Sequence, residues 1–286
     1  MLGKYRPLPP VLYKYFPVEE WLPSLLTGES LKFSSRKTFN DPFDSRPAYK
    51  IAAREDAIGW IKERLTHIRN PSKRIQQQTQ LLRQSGKVRT FGQIESDQIL
   101  DEIGILCMSE SWDNPILWAH YANKHTGICV GFHSDRDVFR LADPITYSSV
   151  RPVIERPRDT KDEMLEKAFL TKDLCWETEA EWRVIKQNLA SEERLRNAQR
   201  LGYLEPEQIR VLTDQQGPNF YRFERNAIES ITVGMNISAN DEEFVLSTVR
   251  AYAPKVHVYR AQANLEKYPL ARKQVRLSHN PHLKRG

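Results

Sequence analysis

Cysteine is scarce. The 286 residues hold three, Cys107, Cys129 and Cys175, too few and too far apart for a disulfide framework or a CxxC metal pair. The seven histidines do not cluster: His120 and His125 stand five apart, off the i, i+4 face that a helical metal site needs. GxGxxG, Walker A, GxSxG and HExxH are all missing, which sets aside a P-loop or zinc enzyme. No stretch approaches the roughly 18 apolar residues of a membrane helix. Residues 1–10 carry charge and proline and lack the apolar core of a secretory signal, so the expected compartment is the cytoplasm. Twelve Gly and 17 Pro are ordinary counts and exclude collagen-like and low-complexity classes.

What remains is the composition of a globular chain with a sizeable core, 40% hydrophobic and 28% charged, with 43 Lys and Arg against 37 Asp and Glu. Short apolar and aromatic runs predict strands over 12–16, 31–34, 104–109, 127–132, 182–185, 220–223, 230–233 and 256–259. Helices are expected over 116–121, 161–171, 191–201 and 240–252, the last capped by Ser238 or Asn240. A polar section over about 53–100 interrupts the strands. Ile58, Ile61, Leu65 and Ile68 trace one helical stripe in it, and Ser72 is the expected cap of a second, Gln-rich helix. The spacing lacks a regular βαβ rhythm, which favours a single α+β domain over 1–262 with a helical insertion. The stretch 263–286, with basic residues concentrated toward its end, is expected to be a mobile tail.

Three segments concentrate reactive residue types. In the first, Phe33-Ser34-Ser35 leads into Phe39-Asn40-Asp41-Pro42-Phe43-Asp44, a turn signal after a strand. In the second, a strand ends in Ser109-Glu110-Ser111, so both hydroxyls fall on one face, and Trp112, Trp118, His120 and Tyr121 follow. An aromatic core seam explains Trp118 equally well, whereas His120 and Tyr121 carry polar tips that such a seam does not require. In the third, Glu179 and Glu181 lie two apart at a strand entry. Carboxylates on one face repel unless a cation or a reacting group needs them, and Arg183 on that face can pair with Glu181.

Together with Leu12-Tyr13-Lys14-Tyr15, these words resemble the prokaryotic family catalogued as domain of unknown function 2971, over about 12–234. Their order also resembles the three-part layout of ADP-ribosyltransferases: a first-strand residue reaching NAD, a strand ending in Ser-x-Ser, and a strand carrying Glu-x-Glu. That resemblance implies a split, mixed or antiparallel sheet with flanking helices. It also implies NAD as substrate and a macromolecular acceptor, protein or nucleic acid, as in toxins and antiviral effectors. Carried over position by position, Glu181 would face the oxocarbenium-like ribose and Glu179 the acceptor. Ser109 and Ser111 would hold the ribose, with Tyr13, Lys14, Tyr15, Ser34, Trp112, Trp118, His120 and Tyr121 around the dinucleotide. Trp112 or Tyr15 would stack on nicotinamide, Lys14 would meet the pyrophosphate, and Asn40, Asp41 and Arg183 would lie toward the acceptor. Lys14 stands where the family has Arg or His.

Other readings stay open on the residues alone. A metal-dependent nuclease would use Asp41, Asp44, Glu179 and Glu181 with Lys186. A nucleic-acid-binding module would use the basic insertion and tail. A degenerate transferase would bind a nucleotide without turning it over.

Overall fold

The computed structural model describes residues 6–51, 68–83, 100–156, 161–186 and 218–277, with a few single or paired positions between them. Along the chain run β1 (Val11–Phe16), α1 (Leu22–Leu26), β2 (Leu31–Lys32), β3 (Ala48–Ile51), α2 (Pro71–Arg83), β4 (Gly104–Ser109), α3 (Pro115–Tyr121) and β5 (Ile128–His133). There follow β6 (Asp143–Pro144), β7 (Thr146–Ser148), β8 (Val153–Arg156), α4 (Lys161–Phe169), β9 (Thr171–Asp173) and β10 (Glu181–Lys186). The described chain closes with β11 (Phe220–Tyr221), β12 (Ile228–Val233), α5 (Ala239–Tyr252), β13 (His257–Gln262) and β14 (Ala271–Gln274).

Eight strands form one mixed sheet in the order β14-β13-β12-β5-β1-β4-β10-β6. Every neighbouring pair is antiparallel except β12 and β13. Period-2 alternation sorts its side chains between two faces. Leu12, Leu106, Met108, Val130, Phe132, Trp182, Val184, Ile231 and Val233 fill one face, beneath Leu22, Leu25 and Leu26 of α1 and Val245 and Val249 of α5. Val245, Thr248 and Val249 repeat at i, i+3 and i+4, so α5 buries one stripe, and Ser238 Oγ caps it by accepting from Asp241 N–H. The opposite face carries Tyr15 and Cys129, covered by Leu117 and Trp118 of α3.

The sheet is split at its centre. β1 shares six register pairs with β5 but only Tyr13↔Ser109 with β4. Past that pair the strands part, and the exposed edge of β4 is satisfied by substitutes. Ser34 exchanges both backbone bonds with Ile105 at 2.8 and 2.9 Å, and Lys14 Nζ donates to the Cys107 carbonyl at 3.0 Å. Unpaired backbone groups at this depth cost too much to leave open, which is why a lysine tip is drawn into the gap.

Three sequence expectations need correction. Asn70, not Ser72, caps α2, because its Oδ1 accepts from both Ser72 N–H and Lys73 N–H. The stretch from 263 is no free tail up to Leu277: Ala271–Gln274 is the sheet's edge strand, and Leu270 is buried against Tyr15 and Trp118. Ser34 belongs to an isolated bridge rather than to a strand reaching 34. The helix expected over 191–201, most of the insertion and residues 278–286 lie outside the described residues. Among the described residues no helix is long and apolar enough to cross a membrane.

Candidate functional site

The split holds a cavity of about 380 Å³, at the small end of the range for ligand pockets. Tyr13, Lys14 and Tyr15 wall it from β1, and Ile105, Cys107, Met108 and Ser109 from β4. Ser34, Thr38, Phe39, Asn40 and Asp44 come from the loop after β2. Leu117, His120 and Tyr121 come from α3, and Lys172, Glu179 and Glu181 from the far side.

Local backbone explains how two glutamates meet there. Glu179 ends a short 3-10 turn (Leu174–Glu179), Ala180 is left-handed at φ 45°, and Glu181 opens β10. The pair therefore does not share a strand face as the spacing implied. A left-handed alanine, costly for a side-chain-bearing residue, turns the chain so that both carboxylates approach one point from different elements. Several bonds hold that turn. Ser109 Oγ donates to the Glu179 carbonyl at 2.7 Å, Glu110 N–H to the Ala180 carbonyl at 3.2 Å, and Asn114 Nδ2 to the Thr178 carbonyl at 2.6 Å.

The shared point is Lys172. Its ammonium hydrogen-bonds Glu179 Oε2, lies 3.0 Å from Glu181 Oε2 and 3.5 Å from Asp44 Oδ2, and packs over the Trp176 ring. Behind it Arg183 is fully buried. Its guanidinium forks onto Asp44 at 2.9 and 2.7 Å and onto Glu181 at 2.7 and 3.0 Å, and also meets Ser45 Oγ and the Phe169 carbonyl. Burial pushes the Glu181 pKa up, but the facing Arg183 and Lys172 charges outweigh it and hold the group at about 2. Burial pulls Lys172 down, and the carboxylates push it further the other way, above the ordinary lysine range. Three carboxylates face two cations, so this network retains one net negative charge. Lys14, its pKa lowered by burial, is the nearby cation on β1.

Glu179 differs from Glu181 in what it leaves open. Its Oε1 accepts from Tyr121 OH at 2.8 Å, and Tyr121 in turn meets Asn40. Burial and then the neighbouring Glu179 raise the Tyr121 pKa, keeping a proton on the phenol. Each carboxylate oxygen takes about two donors. Glu181 receives both Arg183 nitrogens, Lys172 and a further hydrogen bond from Cys107. Glu179 receives one donor on each oxygen, so it is the carboxylate with capacity toward the cavity.

Tyr13, Lys14, Tyr15, Ser34, Asn40, Ser109, His120, Tyr121, Glu179 and Glu181 thus converge on one cavity, from segments far apart in sequence. Five other candidates do not line it. Arg183 is fully buried beneath the carboxylates. Trp118 is core, with Nε1 donating to the Trp112 carbonyl and its ring against Tyr15. Trp112 stacks on Arg272 instead. Ser111 Oγ turns to Asp113 at 2.6 Å, and Asp41 Oδ1 accepts from Phe43 N–H as a loop cap.

Two wall residues also have duties other than those expected. Tyr15 is pinned by its OH on the Ser111 carbonyl, so its ring is not free to stack, and Lys14 is committed to Cys107. Lys172 lines the cavity without any signal in the sequence: a lysine within Thr171–Asp173 carries no motif, and only the topology brings it to the glutamates. No protein-family model, no curated protein and no solved structure matches this chain.

Proposed function

We propose that this cavity binds the nicotinamide end of NAD and transfers ADP-ribose to a macromolecular acceptor, in an ADP-ribosyltransferase-like fold of the domain-of-unknown-function-2971 kind. The observation that carries the reading is one row across the split sheet: Glu181 pairs with Ser109, Ser109 pairs with Tyr13, and all three face one cavity. Breaking the bond from ribose C1′ to the nicotinamide nitrogen sends its electron pair to nicotinamide and leaves positive charge on the ribose. A buried anion fixed beforehand stabilises that charge without reorganisation. Glu181 supplies it, held ionised by Arg183. The acceptor's nucleophilic atom then bonds to C1′, and Glu179, oriented by Tyr121, takes its proton. Ser109 is a positioning residue, because its hydroxyl fixes the Glu179 turn.

A metal-dependent nuclease is disfavoured, since Lys172 and Arg183 already pair with the carboxylates such an ion would need. Saturation of Glu181 favours a second reading, a nucleotide-binding module without turnover. One assay separates the two. Purified protein is incubated with NAD carrying an adenylate label, with and without cell lysate, and free nicotinamide and labelled macromolecules are measured. Nicotinamide release together with transfer, the transfer lost in Glu179→Gln, supports the transferase. Binding of ADP-ribose with no nicotinamide released supports the module and overturns the transferase.

A further inference from the structure

With Lys14 turned onto Cys107 and Lys172 held by three carboxylates, a candidate for the phosphates of a dinucleotide comes from the C-terminal edge strand. The guanidinium of Arg272 packs against two rings, 4.6 Å from the Trp112 centroid and 4.1 Å from that of Tyr259. Two ring contacts restrain its orientation in advance. Among the described residues it forms no ion pair. Its polar contacts are Tyr13, whose ring walls the cavity, and Thr232 Oγ1 at 3.5 Å.

Gly131 makes that connection possible. It sits opposite Tyr13 on β5, and a Cβ there would come within 3.0 Å of Tyr13 Cε1 and 2.8 Å of Ser230 Oγ. Without one, the Tyr13 ring lies low over β5 and directs its phenol toward Arg272. On the other side of that ring, β12 is bulged between Ile228 and Ser230. Bulges re-aim side chains, and this one brings Glu229 Oε2 as well as Ser230 Oγ to the Gly131 position. Both atoms are buried without a hydrogen-bond partner, and Ser230 is wholly buried. A buried carboxylate oxygen and hydroxyl lacking donors are costly. A ligand hydroxyl at Glu229 would remove part of that cost, as where a carboxylate holds a nucleotide ribose.

We infer that Arg272 is a phosphate anchor, and that Glu229 receives an adjoining sugar hydroxyl of a nucleotide lying from the cavity across Tyr13. The strand carrying Ser109 is three spacings from that carrying Thr232, about 14 Å, comparable to the reach of an extended dinucleotide between its two riboses. The inference rests on the transferase reading for the identity of the dinucleotide; the anchor itself needs only a phosphate.

The test titrates ADP-ribose, inorganic pyrophosphate, adenosine and a short single-stranded oligonucleotide into the full chain by calorimetry. The proteins are wild type, Arg272→Met, which keeps an apolar stem between the rings, and Arg272→Lys; thermal midpoints confirm folding. Arg272→Met is expected to weaken ADP-ribose and pyrophosphate roughly 10- to 100-fold and leave adenosine unchanged, with Arg272→Lys recovering only part. Glu229→Gln should weaken ADP-ribose and adenosine but not pyrophosphate. An Arg272 effect confined to the oligonucleotide assigns the phosphate to the acceptor and supports the anchor. Wild-type affinity for every phosphate ligand in a folded Arg272→Met overturns it. Arg272-dependent pyrophosphate binding without nicotinamide release would leave the anchor standing and remove the transferase.

Discussion

Neutralising Glu181 removes the charge around which the buried network is arranged, and the consequence can be worked from its environment. Glu181→Gln preserves volume but leaves Arg183 and Lys172 facing an amide, whose NH₂ has no acceptor among them. The carboxyl is depressed from an ordinary 4.5 to about 2. At 1.36 kcal/mol per unit that corresponds to about 3 kcal/mol in favour of the charged form. It falls within the ~3–5 kcal/mol typical of breaking a buried ion pair. A depressed folded-state pKa contributes stability that is complete above the unfolded value and is lost as pH falls through the folded one. The variant should therefore be about 3 kcal/mol less stable than wild type at pH 7. The gap should begin to close below about pH 4.5, shrink by roughly half near pH 3.5, and vanish near pH 2. Urea unfolding followed by tryptophan fluorescence measures it, since six Trp report on the fold. A gap under about 1 kcal/mol at pH 7, or one constant from pH 7 to pH 3.5, refutes the electrostatic account of this cluster.

Four further outcomes follow from the same geometry. Glu179→Gln should lower transfer of ADP-ribose to the acceptor by about 10²–10⁴ and Tyr121→Phe by less, measured as labelled product; unchanged transfer in Glu179→Gln removes its assigned role. Ala180→Gly relieves a left-handed alanine and should raise the thermal midpoint by a few degrees, for about 1 kcal/mol; a lowered midpoint contradicts strain at that turn. Gly131→Ala forces Ser230 and Tyr13 aside, costing about 1–3 kcal/mol by urea unfolding and weakening ADP-ribose binding; an unchanged midpoint and affinity argue against the low-lying Tyr13 ring. Deleting 263–286 strips β14 and uncovers Ala261 and Trp112, so the unfolding midpoint should drop, whereas a merely appended tail would leave it unchanged.

Much of the sheet was legible because its strands are bounded by turn signals and filled with apolar and aromatic residues, as in Gly104–Ser109. The strands without such a pattern, Ala48–Ile51, Asp143–Pro144, Thr146–Ser148, Val153–Arg156, Thr171–Asp173 and Ala271–Gln274, are short, polar or charged. Their pairing depends on a neighbour rather than on their own pattern. The candidate site was legible where chemistry leaves a word in the chain, as in Glu179-Ala180-Glu181 and Trp118-Ala119-His120-Tyr121. Arg183 and Asp44 show the limit of such reading: a charged residue beside a motif reads as exposed, and only the packing reveals a buried fork. Lys172 and Arg272 carry no local signal at all, since a lone cation gains meaning from the carboxylates or rings that tertiary structure brings to it.

The central claim is that the split between β1 and β4 holds the reacting end of NAD. A crystal structure of the protein with a non-hydrolysable NAD analogue tests it most directly. The account expects the nicotinamide ribose between Ser109, Tyr121 and the two glutamates, with C1′ beside Glu181, Glu179 on the side open to the acceptor, and a phosphate within hydrogen-bonding distance of Arg272. An analogue seated elsewhere, or an empty cavity at saturating concentration, would contradict it.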